Sequence, residues 1–343
     1  MKFILVSGGS GGHIYPCLSL ANYLKERGKD VLLVGVKGGM EEDIYLKSDL
    51  DSRFFEIDKK KVKSFLNNYK SISSLYMEYK PDALILFGNY ISFSFALVAK
   101  KMKIPIYLHE QNVIYGKANK LIGLFAKRIY LSLPIKKDLY KNKSLLVGTP
   151  KGEDNKIQDV YLNKSKKNVF IVMGSLGSET INDIVKKMIN ISDKNINYHI
   201  VIGKKHYKKF TSNIDKKENV FIYEYIDNLI SYTSKCDLLI SRSGATTISE
   251  IINYKIPSIL IPSPYVSNNH QYKNALYLKE NKACHILSEK DLNERILVNE
   301  ISELVNDENR LKRFKNNLEK LEVKNTKRLI YEDILTYEKR IDR

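Results

Sequence analysis

Four glycines and a histidine lie between a hydrophobic strand and a helical pattern in the segment SGGSGGHIYP (7–16). Glycines let backbone N–H groups approach a ligand closely, and a helix start directs its positive end at the same place. His13 lies at this helix start, where an imidazole suits general-base chemistry near neutral pH. A steric turn with a hydrogen-bonding histidine is the alternative. The functional interpretation predicts an anion-binding turn with His13 as a candidate base.

The same segment fits neither of the two common nucleotide loops. His13 and Ile14 stand where the Gly-x-Gly-x-x-Gly pattern needs its third glycine, and no lysine follows Gly12 as a P-loop requires. The sequence therefore argues against a dinucleotide-binding or ATP-binding function for this segment.

The second half repeats the design in SRSGATTISE (241–250), which reads as a strand, a Ser-Gly turn and a helix start. Ile248, Ile251 and Ile252 mark the core face of that helix and leave Glu250 on a different face. A carboxylate near a phosphate-binding helix start commonly holds a ribose diol. A solvated surface acid is the alternative for Glu250.

A polar loop bounded by prolines, PSPYVSNNHQYKNA (262–275), leads into a further helix. Asn268, Asn269, His270 and Gln271 offer neutral donors and acceptors that suit sugar hydroxyls and phosphates. A helix cap is a compatible alternative.

Buried strands precede these turns in both halves, so the chain is expected to be α/β, with two Rossmann-like domains whose parallel sheets face each other across a cleft. The predicted strands are FILVS, VLLVGV, ALILFG (83–88), IPIYLHE (104–110), RIYLS (128–132), NVFIVMG (168–174), YHIVIG, NVFIYEYI, DLLISRSG and IPSILIP. The apolar pattern breaks at 145–156 into Gly, Pro and charged residues, and this segment is interpreted as a linker. The expected domains are 1–150 and 151–324. A C-terminal helix at about 325–343 is an optional further element that packs back on the N-terminal domain.

The charge is strongly positive, with 57 Lys and Arg against 39 Asp and Glu in 343 residues, a net +18. Residues 59–143 alone carry 17 basic and 4 acidic side chains. Such a surface suits nucleic acid, an anionic membrane or phosphorylated substrates. A hydrophobic content of 43% excludes a disordered chain.

Two segments mix lysines with apolar residues, KKKVKSFLNNYKSISSLYMEY (59–79) and KLIGLFAKRIY (120–130). This mixture favours the interface of an anionic leaflet, and a solvated charged face is the alternative. The apolar members are Phe65, Leu66, Tyr69, Ile72, Leu75, Tyr76, Leu121, Ile122, Leu124 and Phe125. Since no run approaches the roughly 20 apolar residues of a membrane span, any membrane contact is expected to be peripheral.

Three widely spaced cysteines, Cys17, Cys236 and Cys284, suggest neither a disulfide framework nor a zinc site. They favour a reducing cytosol.

Taken in order, the motifs resemble the MurG family of bacterial glycosyltransferases over residues 3 to about 287. The resemblance rests on GGSGGHIYP (8–16), LHEQN (108–112), GKANK (116–120), MGSLGS (173–178), SRSGATTISE (241–250) and NNHQYKNA (268–275). It implies the GT-B fold, with an acceptor lipid on the N-terminal domain and UDP-N-acetylglucosamine mainly on the C-terminal domain.

The implied reaction is inverting transfer of N-acetylglucosamine from UDP-N-acetylglucosamine to the C4 hydroxyl of N-acetylmuramic acid in undecaprenyl-pyrophosphoryl-MurNAc-pentapeptide, which converts lipid I to lipid II in peptidoglycan synthesis. No cofactor and no metal are expected. The expected partners are the two substrates and an anionic membrane surface at the cytoplasmic face of the cell membrane, with other cell-wall enzymes possible and no nucleic acid.

The resemblance also implies site residues, with His13 as the base. The donor-binding set is Ser10, Gly11, Gly12, Asn112, Ser175, Ile226, Ala245, Thr246, Thr247, Ile248, Ser249, Glu250 and Gln271. The acceptor-side set is Gly8, Gly9, His109, Glu110 and Asn119.

The chain departs from the family pattern at three places. Lys151 and Gly152 occupy the segment where an arginine is usual, phenylalanines enter the second glycine loop GNYISFSFA (88–96), and Ser10 replaces a threonine. The altered loop leaves a GT-B transferase for another glycolipid or exopolysaccharide as an alternative. A nucleic-acid-binding protein and a catalytically inactive sugar-binding homologue are further alternatives; recognition signatures for nucleic acid are lacking, and His13 and Glu250 weigh against inactivity.

Overall fold

The computed structural model describes residues 1–56, 62–153, 157–173, 178–212 and 214–339. The chain divides into two compact units, Met1–Asp154 with Val323–Arg343, and Asn155–Glu322.

The first unit is built on a parallel seven-stranded sheet. Its strands are β1 (Lys2–Val6), β2 (Asp30–Val36), β3 (Asp51–Phe55), β4 (Ala83–Leu86), β5 (Ile106–Glu110), β6 (Arg128–Leu131) and β7 (Ser144–Leu146). Its first helices are α1 (Gly11–Glu26), α2 (Met40–Leu46), α3 (Val62–Tyr79), α4 (Asn89–Lys101) and α5 (Lys117–Gly123), followed by a 3-10 turn at Pro150–Glu153. The strand order is β3-β2-β1-β4-β5-β6-β7. The order reverses between β1 and β4, so the crevice that such sheets use for ligands lies beyond their carboxyl ends.

The second unit repeats this plan with six parallel strands. They are β8 (Lys167–Val172), β9 (Ile196–Val201), β10 (Val220–Tyr223), β11 (Leu238–Ser241), β12 (Ser258–Leu260) and β13 (His285–Ile286). The helices are α6 (Glu179–Asn190), α7 (Tyr207–Thr211), α8 (Leu229–Thr233), α9 (Ala245–Tyr254), α10 (His270–Glu280), α11 (Glu294–Asn306) and α12 (Glu308–Glu319), with 3-10 turns at Ser267–Asn269 and Glu289–Asp291. The strand order β10-β9-β8-β11-β12-β13 reverses between β8 and β11.

The last helix, α13 (Thr326–Lys339), belongs to the first unit. Ile330 and Ile334 are buried in the core beneath β1, among residues of α1. Arg128 on β6 donates to both carboxylate oxygens of Asp333, which fixes the helix along the sheet.

All ten predicted strands are confirmed, because buried parallel strands appear in sequence as continuous apolar runs. Three further strands, β3, β7 and β13, were not predicted. They are short or partly exposed edge strands that carry polar residues, so the apolar signal is weak there. The predicted linker at 145–156 is wrong at its start, since β7 extends the first sheet as far as Leu146.

Candidate active site

The first glycine loop follows β1 at the reversal of the first sheet. The N–H of Gly9 donates to Oε2 of Glu41 at 3.2 Å, and Nδ2 of Asn89 donates to the carbonyl of Gly8 at 2.8 Å. Ser10 is exposed and precedes α1, and among the described residues its side chain makes no capping bond to the helix. The loop is thus held at Gly8 and Gly9, while Ser10 and the helix start face solvent.

His13 lies in the first turn of α1, beside the second glycine loop after β4. A Cβ placed on Gly88 would lie 3.2 Å from Cε1 of His13 and 3.2 Å from Oδ1 of Asn119. Gly88 has φ of 96°, a conformation that favours glycine. The absence of a side chain here brings the half-buried imidazole and the buried Asn119 amide together at the carboxyl edge of the sheet.

His109, on β5, is fully buried beneath this edge. Its Nε2 lies 3.2 Å from the carbonyl of Gly148, and its Nδ1 lies 3.2 Å from Nε2 of Gln111. This pattern fits a neutral ring that donates from Nε2 to the carbonyl and accepts at Nδ1. Burial, opposed by the hydrogen bond to Gly148 and assisted by the nearby His13, lowers the pKa of His109 to about 4. Because its ring is buried, His109 does not contact solvent-borne ligands directly.

The neutral His109 predicts a loss of stability in acid. In the unfolded chain the imidazole takes up a proton near pH 6.5, whereas in the folded chain its pKa is about 4. The free energy of unfolding should therefore be highest above pH 6.5 and fall by about 3 kcal/mol through this group as the pH drops to 4. Urea unfolding of wild type and His109→Gln between pH 4 and 7.5 measures this. A variant with the same pH slope as wild type would contradict it.

Glu110, at the end of β5, accepts four hydrogen bonds from the following loop and the first turn of α5. Its Oε1 accepts from the N–H and Nδ2 of Asn112, at 3.0 and 3.2 Å, and its Oε2 accepts from the N–H of Gly116 at 3.0 Å and from Nδ2 of Asn119 at 2.7 Å. The carboxylate is only 1% exposed. It therefore shapes the loop that carries Asn112 and orients Asn119 toward Gly88.

In the second unit, the turn between β11 and α9 is fixed by α10. The hydroxyl of Ser243 donates to the carbonyl of Gln271 at 2.8 Å, and Nδ2 of Asn274 donates to the carbonyl of Ser243 at 3.2 Å. Gly244 then leads into α9, whose first turn contains no acidic residue. The positive end of α9 is therefore not opposed within its own first turn.

The residues predicted on α9 divide between two faces. Ile248 is fully buried in the core, and the buried hydroxyl of Ser249 donates to the carbonyl of Ala245. Thr246, Thr247 and Glu250 are half-buried, and for Glu250 this agrees with the face predicted from the isoleucines. Any contribution of Ile248 to ligand binding is thus limited to its backbone.

Two further predicted residues lie near the carboxyl edge of this sheet, Gln271 in the first turn of α10 and Ile226 in a loop. Oε1 of Gln271 accepts from the N–H of Ser263 at 2.8 Å, which makes the amide nitrogen the donor side of this residue. Ile226 is half-buried in the segment between β10 and α8. Ser175 lies outside the described residues.

Two buried charged residues hold these loops and were not found by sequence reasoning. Glu41, on α2, accepts from the N–H groups of Gly9 and Val36. Arg242, directly after β11, pairs with Glu289 at 2.6 Å and donates to the hydroxyl of Ser178 at 2.7 Å. The only sequence signal was a charged residue directly after a strand or at a helix start, which does not identify the distant partner.

Comparison with known proteins identifies the family. Residues 3–131 match the Glycosyltransferase family 28 N-terminal domain, and residues 168–330 match the Glycosyltransferase family 28 C-terminal domain. A UDP-N-acetylglucosamine--N-acetylmuramyl-(pentapeptide) pyrophosphoryl-undecaprenol N-acetylglucosamine transferase from Halalkalibacterium halodurans is 33% identical over 339 residues, which cover 92% of this chain and 93% of the relative. The protein of that name from Natranaerobius thermophilus is 35% identical, with 90% and 92% covered. The chain belongs to the MurG family.

The fold agrees with this assignment. The crystal structure of Acinetobacter baumannii MurG superposes with a TM-score of 0.82 at 21% identity, covering 98% of this chain and 100% of that chain. The predicted α/β GT-B class, with two Rossmann-like parallel sheets, is thereby confirmed.

Two of the departures from the MurG pattern, Phe95 and Lys151, have defined surroundings in the structure. Phe95 lies on α4, is fully buried and packs edge-on against Phe55 and Tyr76, so its ring fills the core and does not block the turn at Gly88. The ammonium of Lys151 lies 6.0 Å from the ring centre of Tyr15 on α1. Its positive charge is therefore placed near the helix that carries His13.

Metal ligands do not gather in the part of this MurG-family chain that the structure describes. Within the described ranges, no group of three or more His, Cys, Asp or Glu side chains is arranged to hold a metal ion. An Asp-Leu-Asp triplet is present at 49–51, but it leads into the amino end of the edge strand β3, away from the glycine loops.

Proposed function

We propose that this chain transfers N-acetylglucosamine from UDP-N-acetylglucosamine to the C4 hydroxyl of N-acetylmuramic acid in undecaprenyl-pyrophosphoryl-MurNAc-pentapeptide, the lipid I to lipid II step of peptidoglycan synthesis. The observation that carries the proposal is the similarity, over 90% or more of both chains, to transferases named for this reaction. The position of His13 beside Gly88 at the reversal of the first sheet supports it.

The reaction is a single displacement with inversion. The C4 oxygen of the acceptor attacks the anomeric carbon of the donor sugar, its proton passes to the imidazole of His13, and the bond from the anomeric carbon to the UDP oxygen breaks. The transition state resembles an oxocarbenium ion, and negative charge grows on the departing diphosphate. N–H groups at the starts of α6 and α9 stabilise that charge.

The remaining site residues take the following roles in this proposal. Glu250 holds the ribose, the backbone of Ile226 contacts uracil, and Gln271 binds sugar hydroxyls through its amide nitrogen. Asn112 contacts the donor sugar region, and Ser175 holds a donor phosphate. The supporting donor contacts come from Ser10, Gly11, Gly12, Ala245, Thr246, Thr247, Ser249 and the Ile248 backbone, and the acceptor side is formed by Gly8, Gly9 and Asn119, with His109 and Glu110 acting from beneath.

The test is transfer of labelled N-acetylglucosamine from UDP-N-acetylglucosamine to a lipid I analogue. Product formation with lipid I, but not with an undecaprenyl diphosphate carrying a different sugar, supports the assignment. Transfer only to the other glycolipid would instead favour the alternative GT-B transferase, and no transfer to either would overturn the proposal.

We also propose peripheral attachment to the cytoplasmic leaflet through a membrane patch, defined as Leu121 and Leu124 with Lys117 and Lys120. The two leucines are 49% and 67% exposed, and both lysines are exposed. Such a mixture binds anionic interfaces, at about 1 kcal/mol per well-placed basic residue. None of the described helices is both long enough and apolar enough to cross a membrane.

Burial limits which residues of the segments 59–79 and 120–130 can contact lipid. Three apolar residues of the two segments are buried in the core and are not available to lipid: Ile72 and Tyr76 of 59–79, and Ile122 of 120–130. Lys59, Lys60 and Lys61 lie outside the described residues, as do the side chains of Phe65 and Leu66.

Loss of the membrane patch should weaken binding to anionic vesicles. Leu121→Gln/Leu124→Gln is expected to reduce flotation with phosphatidylglycerol vesicles by about tenfold or more, because two apolar side chains no longer enter the interface. Leu46→Gln is the matched control, since Leu46 is 66% exposed on α2 of the same unit. Equal flotation of the double variant and wild type would contradict the patch.

A further inference from the structure

Arg242 joins the two helix starts that the proposed function assigns to the donor diphosphate. It follows β11 directly and is only 9% exposed. Its Nη1 donates to the carbonyl of Ile261 at 3.0 Å and to Oε2 of Glu289 at 2.6 Å, and its Nη2 donates to Oγ of Ser178 at 2.7 Å. One guanidinium therefore ties together segments that follow four neighbouring strands of the sheet.

Ser178 is the residue that makes this arrangement unusual. It directly precedes α6, the position at which a serine hydroxyl normally accepts from N–H groups of the first turn. Among the residues that the structure describes, the Ser178 side chain makes no such capping bond, and its hydroxyl accepts from Arg242 instead. The first-turn N–H groups of α6 are thus left without this cap, and they point out of the carboxyl edge of the sheet.

The single acidic residue in that first turn is directed elsewhere. Glu179 pairs with Lys209 on α7 at 2.5 Å at the exposed surface. This pairing reduces the repulsion that a carboxylate at a helix start would exert on a bound anion.

We infer that Arg242 is a positioning residue for the nucleoside diphosphate of the donor, and this rests on the proposed function. By occupying the Ser178 hydroxyl, it keeps the start of α6 open for phosphate oxygens and holds it at a fixed distance from the turn that begins α9. Glu289 neutralises the buried guanidinium, so the charge that faces the diphosphate comes from the helix starts. Arg242 itself does not touch the reacting atoms.

The diphosphate is fully charged before and during transfer, so this positioning acts on both states and should appear in the KM for donor. Ser178→Ala and Arg242→Lys should each raise the KM for UDP-N-acetylglucosamine, and the Kd for UDP measured by calorimetry, by about 5- to 20-fold, with kcat within about threefold. Lysine keeps the charge opposite Glu289 but loses the second arm of the guanidinium. Ser178→Thr retains the hydroxyl and should restore donor affinity.

The coupling between the two residues is the decisive measurement. The double variant Arg242→Lys/Ser178→Ala should have a KM for donor no higher than that of the single variant with the larger increase, because both changes break the same bond. Lys255→Gln is the control: it removes an ion pair of 2.7 Å with Glu322 in the same unit, and should lower the Tm without changing the KM for donor. Variants that lose Tm while the KM and the UDP Kd stay within twofold would overturn the inference, as would fully multiplicative effects in the double variant.

Wild type separates this inference from the proposed function. If wild type binds UDP and transfers the sugar while the variants keep normal donor affinity, only the positioning role fails. If wild type binds no UDP, the proposed function fails and the inference fails with it.

Discussion

His13→Ala is expected to lower kcat for transfer to a lipid I analogue by about 10² to 10⁴-fold, the usual contribution of a general base. The imidazole lies in the first turn of α1, beside Gly88, where the acceptor hydroxyl is proposed to lose its proton. Alanine leaves the helix intact because it has the highest helix propensity. The KM for UDP-N-acetylglucosamine should change little, because the donor contacts are proposed mainly on the second unit.

Initial-rate kinetics at saturating donor and acceptor measure this effect. His206→Ala is a suitable control, since His206 is a partly exposed histidine before α7 and has no proposed role in the site. Full activity of His13→Ala would remove His13 as the base. An increase in the donor KM with unchanged kcat would assign it a binding role instead.

Local patterns predicted the scaffold and the glycine turns because both are written in neighbouring residues. Apolar runs followed by Gly and Ser gave the strand ends, and the face assignment on α9 left Glu250 half-buried as expected. The contacts that fix these turns join distant parts of the chain. Gly9 is bound by Glu41, and Arg242 reaches Ser178 and Glu289, so neither pairing has a periodic signal in the sequence.

The segment 59–79, whose described part forms helix α3, shows why charge patterning alone does not identify a membrane-binding face. Basic residues interleaved with apolar ones are typical of a helix on a membrane and equally of a helix that covers a sheet. In α3, Ile72 and Tyr76 pack in the core, and Tyr76 donates to the carbonyl of Phe95. In the α5 segment, Leu121 and Leu124 are exposed, so only burial distinguishes the two cases.

Glu110 is expected to give the second large effect, on stability and activity together. It is the buried acceptor for Asn112, Gly116 and Asn119, and hydrogen bonds to a charged group contribute more than neutral ones. Glu110→Gln keeps the shape but turns one oxygen into a donor that faces other donors. We expect it to lower the free energy of unfolding by about 3 kcal/mol or more.

The same substitution should reduce kcat by about tenfold or more, because Asn119 loses the bond that orients it beside Gly88 and His13. Glu338→Gln is the matched control. Glu338 is a partly buried carboxylate of the same unit that accepts from Tyr107 and Lys127, and its contacts lie at α13 rather than at the glycine loops. Urea unfolding and transfer kinetics on both variants separate the effects: stability should fall in both, but transfer should fall beyond the loss of folded protein only in Glu110→Gln. If both variants retain wild-type kcat per folded molecule, Glu110 stabilises the loop without positioning the site.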